Sequence, residues 1–174
     1  MRRKTLIITI SLHALSLMVV FVFQGMVFPY LRIAGLSPLL LPLLSTGVAV
    51  YAGRFAGGVI GIFAGILCDI SLNEPVGAFT ILLTFTGLVI GALADSVITR
   101  GFVTYFMFCI CVLVLAALIQ MFPLIYIVGI PPQALLMTAL WQTIYSLVFA
   151  FPIWVLIRAV WRWISREPQS TKPQ

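Results

Sequence analysis

Acidic residues are almost missing from this chain: four Asp/Glu stand among 174 residues, beside ten Lys/Arg and a single histidine. Charged residues reach only 8%, where a soluble domain carries about a quarter. So few charges cannot wet the outside of a 19.2 kDa globule, which excludes a soluble enzyme and a soluble nucleic-acid-binding domain. The basic surplus, net +6, is therefore read by position along a membrane chain rather than as a nucleic-acid footprint. Cysteine is scarce too. Cys68, Cys109 and Cys111 all lie inside apolar runs, unlike the disulfide framework of a small secreted domain. Cys109 and Cys111 stand two apart, on nearly opposite faces of a helix, so no shared metal ion is expected.

What the chain has in quantity is hydrophobic surface: 63% of residues, with a mean hydropathy of +1.21. A membrane crossing takes about 20 apolar residues for roughly 30 Å of hydrocarbon. Punctuation by Pro, Gly and charge predicts six spans, at residues 6–28, 39–52, 55–70, 78–94, 102–122 and 133–157. The expected fold is all-α, a six-transmembrane helix bundle. Pro29 and Pro123 are expected to close the first and fifth helices, since proline cannot donate to the preceding turn. Ser37-Pro38 reads as a helix start, Asn73-Glu74-Pro75 repeats that logic, and Pro131-Pro132 precedes the last span. The first apolar run follows Met1-Arg2-Arg3-Lys4 but is too long for a signal peptide and lacks its cleavage pattern. It is expected to remain as the first span.

Spans two and three are short, and only Gly53-Arg54 separates them. Charge position arbitrates. Six crossings with the N-terminus inside put Arg2, Arg3, Lys4, Arg54, Arg100, Arg158, Arg162, Arg166 and Lys172 in the cytoplasm and leave Arg32 alone outside. Merging the two short spans would expose the basic C-terminal segment, against the positive-inside bias. A multi-pass protein of a bacterial cytoplasmic membrane, with both termini cytoplasmic, is the expectation. Arg158, Arg162 and Arg166 recur every fourth residue beside Trp161 and Trp163, a pattern expected to meet anionic lipid at the inner leaflet. Residues 167–174 form a polar cytoplasmic tail.

Lipid offers no hydrophobic drive for helix association, so small residues mark protein-facing surfaces. Gly53, Gly57, Gly61 and Gly65 recur at four-residue spacing, and Gly87 and Gly91 repeat the device before Asp95. Helices three and four are expected to pack closely on each other or on a neighbour. Arg54 and Asp95 would meet at one end of that hairpin as an interfacial ion pair, and Arg32 lies on the side where Asp69 and Glu74 emerge. An exposed pair contributes only about 0–1 kcal/mol.

No catalytic constellation emerges. Two aspartates sharing a proton would suit an intramembrane protease, but Asp69 and Asp95 end different spans on opposite sides of the bilayer. No Ser-x-x-Lys, Gly-x-Ser-x-Gly or His-Glu-x-x-His pattern occurs. His13 shares a face of the first span with Thr9 and Ser16 and reads as a histidine bonded across helices. Thr138, Gln142, Tyr145 and Ser146 give the last span a polar face, with Pro152 expected to kink the helix below it. The fifth span, nearly free of polar groups, is expected to face lipid. No cofactor or metal is expected.

The stretch Gly57-Gly-Val-Ile-Gly61-Ile-Phe-Ala-Gly65-Ile-Leu-Cys-Asp69, followed by Pro75-Val-Gly77, resembles the signature of the bacterial rod shape-determining MreD family. That family carries a glycine-rich helix ending in a Gly-Leu-Leu-x-Asp-like box, then a short loop with a glycine; here Ile66 replaces the usual leucine. The resemblance covers about 25 residues by motif and most of the chain by length and span number. It implies a non-enzymatic subunit of the cell-elongation machinery, working beside the bitopic protein MreC and the cell-wall synthase complex. It also implies a fold similar to the S components of energy-coupling-factor vitamin transporters. Gly57, Gly61, Gly65, Asp69 and Gly77 would then be packing and interface positions, with self-association through a glycine face as a further expectation. An S component itself is the second reading. The first span, Ile10-Ser-Leu-His-Ala-Leu-Ser-Leu-Met18, lacks the Ala-x-x-x-Ala docking motif typical of those proteins.

Overall fold

A computed structural model describes residues 3–27, 38–72, 77–96, 101–126 and 132–166. Among them run seven helices and no strand: α1 (Arg3–Val27), α2 (Leu40–Ala52), α3 (Arg54–Leu72), α4 (Ala78–Ser96), α5 (Phe102–Tyr126), α6 (Pro132–Val148) and α7 (Ala150–Arg166). Four of them, α1, α3, α4 and α5, are long and apolar enough to cross a membrane, and α6 with α7 makes a fifth if the bent pair is one span. The chain is thus a multi-pass helical membrane protein. Arg32, Glu74, Arg100 and the tail at 167–174 lie outside the described residues, as do Ser37, Pro29 and the side chains of Trp163 and Arg166.

The centre of the bundle is α2. All thirteen of its residues are buried, and it touches α1, α3, α4, α5 and α7. A helix apolar all round has no face to give to solvent, and enclosure is the arrangement that suits it. At about 20 Å it is also shorter than the hydrocarbon layer is thick. Its helix begins at Leu40, two residues beyond the expected start, with Pro42 in the first turn where no ladder hydrogen bond is lost. The Leu39 N–H, left without an intrahelical acceptor, donates to Ser146 Oγ on α6 at 3.0 Å. Tyr105 Oη donates to the Leu43 carbonyl at 3.3 Å, and Trp154 Nε1 donates to Tyr51 Oη at 2.8 Å. The central helix is therefore bonded along its length to α5, α6 and α7.

Three expectations need correction. The fifth helix has a protein-facing side: Tyr105, Cys109, Val112, Leu113 and Ala116 are buried at helical spacing. Cys111, two residues from buried Cys109, is exposed. The fifth helix also runs through Pro123 to Tyr126; a proline one turn from the end removes one hydrogen bond without stopping the helix, which membrane helices tolerate. The last span is two helices bent by 41°, broken at Phe149 rather than at Pro152 itself. The Pro152 ring crowds the carbonyl four residues earlier, at Val148. There the ladder tightens, with Phe149 N–H donating to Ser146 O at 3.0 Å before Ile153 N–H resumes on Phe149 O.

Candidate functional site: the α3–α4 hairpin

Helices α3 and α4 form the most intimate pair in the molecule, and glycine is the reason. A Cβ added at Gly57 would stand 2.8 Å from the Gly87 carbonyl oxygen and 2.8 Å from Ala49 Cα on α2. One added at Gly61 would strike the Leu83 carbonyl, at Gly65 the Thr80 backbone, at Gly87 the Gly57 carbonyl, and at Gly91 the Arg54 backbone. Five glycines on two antiparallel helices thus meet opposing main chain directly. Gly58 differs, because its added Cβ would meet only the flexible Leu88 side chain. Main-chain contact of this kind supplies dispersion and Cα–H···O attraction where no hydrophobic drive exists.

Each end of the hairpin is closed by an aspartate from the last turn of one helix set against the first turn of the other. Asp69, on α3, is 5% exposed. Its Oδ2 accepts from Gly77 N–H at 3.0 Å, Thr80 N–H at 3.3 Å and Thr80 Oγ1 at 2.6 Å, while Oδ1 accepts from Phe79 N–H at 2.9 Å. Gly77 turns the chain into α4 at φ +104°, a conformation that glycine adopts at little cost. At the other end Asp95 Oδ2 accepts from the Arg54 backbone N–H at 3.2 Å. Its carboxylate oxygens lie 2.7 and 2.8 Å from where a Gly53 Cβ would be, and Gly53 has φ +84°. An acid in the last turn faces the negative end of its own helix dipole, yet here it meets the positive end of its neighbour's. Orphan first-turn N–H groups and the misplaced carboxylate satisfy one another.

Arg54 and Asp95 are therefore adjacent, and the Arg54 main-chain N–H bonds to the carboxylate. Asp69 joins Gly77 and the start of α4; Arg32, the cation expected on its side, lies outside the described residues, as does Glu74. Arg158 and Arg162 are exposed on α7, Arg158 with its guanidinium carbon 4.9 Å from the centre of the Trp154 ring. The polar face of α1 turns inward: Thr9 and His13 are buried, and His13 Nδ1 donates to the Thr9 carbonyl at 2.8 Å. That bond places the proton on Nδ1 and leaves Nε2 an acceptor, buried and without a partner. On α6, Ser146 links the α2 start to the Gln142 carbonyl, while Thr138 is exposed. Among the described residues no three His, Cys, Asp or Glu side chains gather as metal ligands would.

Sequence reasoning overlooked the enclosure of α2 and the main-chain role of Arg54. The first had a signal, since residues 39–52 carry neither charge nor an apolar stripe. The second had none, because a backbone donor leaves no mark in side-chain identity. Comparisons with protein families, with curated proteins and with solved structures find no match.

Proposed function

We propose that the chain is a non-enzymatic membrane scaffold subunit of the bacterial cell-elongation machinery, similar to MreD, that couples MreC and the peptidoglycan synthases to cytoskeletal filaments. In this reading its six crossings are α1, α2, α3, α4, α5 and the bent α6–α7 pair, arranged as in energy-coupling-factor S components, with both termini in the cytoplasm. The observation that carries it is the Asp69 latch. The residues through which the chain resembles the family, Gly57, Gly61, Gly65, Asp69 and Gly77, belong to one physical unit that sets two helices in contact and fixes their register. A signature used for packing suits a protein whose output is a coupling free energy between partners. With the glycines filled by neighbouring main chain, a single-span partner would meet the outward side of the hairpin, where Phe55, Phe63, Ile81 and Phe85 are exposed.

The test is depletion of the protein in its rod-shaped host. Rounded cells, and co-purification of a bitopic coiled-coil protein with cell-wall synthases, are the expected results. Cells that keep their rod shape, or a vitamin co-purifying at stoichiometric amount, would contradict the reading, the latter in favour of an S component.

A further inference from the structure

Tyr51 closes the last turn of α2, and its bond to Trp154 Nε1 ties α7 to the same end of the bundle as Gly53, Arg54 and Asp95. Along α7, Phe151, Val155, Arg158 and Arg162 follow one another at intervals of four, three and four residues and share an exposed stripe. That stripe changes from apolar to basic between Val155 and Arg158. In a helix leaving a bilayer such a change marks where hydrocarbon gives way to headgroups. The indole N–H of Trp154 and the hydroxyl of Tyr51 sit at the same level, as the amphipathic rings of a membrane interface do.

Arg158 is held there. Its guanidinium carbon lies 4.9 Å from the centroid of Trp154. The Trp154 ring is fixed in turn by Tyr51 and by an edge contact with Phe102, centroids 5.2 Å apart at 74°. A guanidinium placed over an aromatic ring still presents N–H donors away from the ring, and its planar fork matches two oxygens of a phosphate. Arg162 stands one turn farther on, exposed on the same stripe.

From this geometry we infer that Arg158 and Arg162, on the platform of Trp154, form a binding site for the phosphate headgroup of an anionic phospholipid. The inference rests on the chemistry of α7 and holds whichever partner the hairpin serves. Full-length protein in a neutral detergent, titrated with phosphatidylglycerol, phosphatidylcholine or inorganic phosphate and followed by native mass spectrometry, tests it. Phosphatidylglycerol is expected to bind in preference to phosphatidylcholine and to resist displacement by inorganic phosphate. Arg158→Gln should lower that affinity about fivefold, the effect of one arginine at an anionic surface. Arg158→Lys, which keeps the charge but lacks the planar fork, should lower it about twofold to threefold. Arg54→Gln removes an exposed charge at the same end but off the stripe and should leave it unchanged. The inference is overturned if Arg54→Gln and Arg158→Gln weaken binding equally, if Arg158→Lys binds like the native protein, if the two lipids bind alike, or if free phosphate displaces the lipid at equal concentration.

Discussion

The two ends of the α3–α4 hairpin use one device in two environments. At the Asp69 end the carboxylate is buried and both oxygens are engaged, by three backbone N–H groups and one hydroxyl. At the Asp95 end the residue is exposed, and its Oδ2 accepts from the Arg54 N–H at 3.2 Å. Away from water a first-turn N–H has no substitute acceptor, so losing its carboxylate costs the desolvation of every donor left behind. At an exposed end water replaces the acceptor. The same arrangement of acid and helix start therefore acts as a structural latch at one end and as a helix cap at the other.

The largest loss is expected from forcing α3 and α4 apart between the two aspartates. Gly61→Val places side-chain carbon against the Leu83 carbonyl, which cannot move without α4. A loss above about 3 kcal/mol is expected, beyond ordinary overpacking, read as loss of monodisperse protein in detergent. Next comes Asp69→Ala, expected to cost about 2–3 kcal/mol as neutral donors are left buried without their acceptor, measured as reversible unfolding in mixed micelles. Asp95→Ala should cost about 1 kcal/mol, as a lost helix cap does. Arg54→Ala should fall within about 0.5 kcal/mol, as an exposed substitution does. If Arg54→Ala matched Asp95→Ala, the contact would be a side-chain ion pair and the likeness between the ends would fail. Gly25→Ala, with nothing within 4 Å of its added carbon, should leave the unfolding temperature unchanged or raise it slightly.

Much of the hairpin could be read from the chain. Glycines at four-residue spacing on one helix and at Gly87 and Gly91 on the next announce close approach, because nothing else gains from a bare Cα in lipid. Asp69 and Asp95 also stood out, as acids at the ends of otherwise apolar spans. The arrangement of the other helices was harder to read. The buried face of α5 is built from Tyr105, Cys109, Val112, Leu113 and Ala116, and in a span where the lipid-facing residues are equally apolar no periodicity separates them from their surroundings. Pro152 pointed to a bend but not to its place, since the strain falls at the carbonyl one turn earlier. The α2 pattern, apolar on all sides, fits a lipid-facing helix and an enclosed one alike; contacts with five neighbours place it at the centre.

First-turn amides of α3 and α4 find their acceptors on the opposite helix. Amide hydrogen exchange of the intact protein reads this directly. The Phe79 and Thr80 amides, which lack acceptors within α4, should exchange as slowly as the helix interior and become fast in Asp69→Asn, while the Arg54 amide exchanges quickly in both proteins. Exchange of Phe79 and Thr80 as fast as that of Arg54 in the native chain would contradict that pairing.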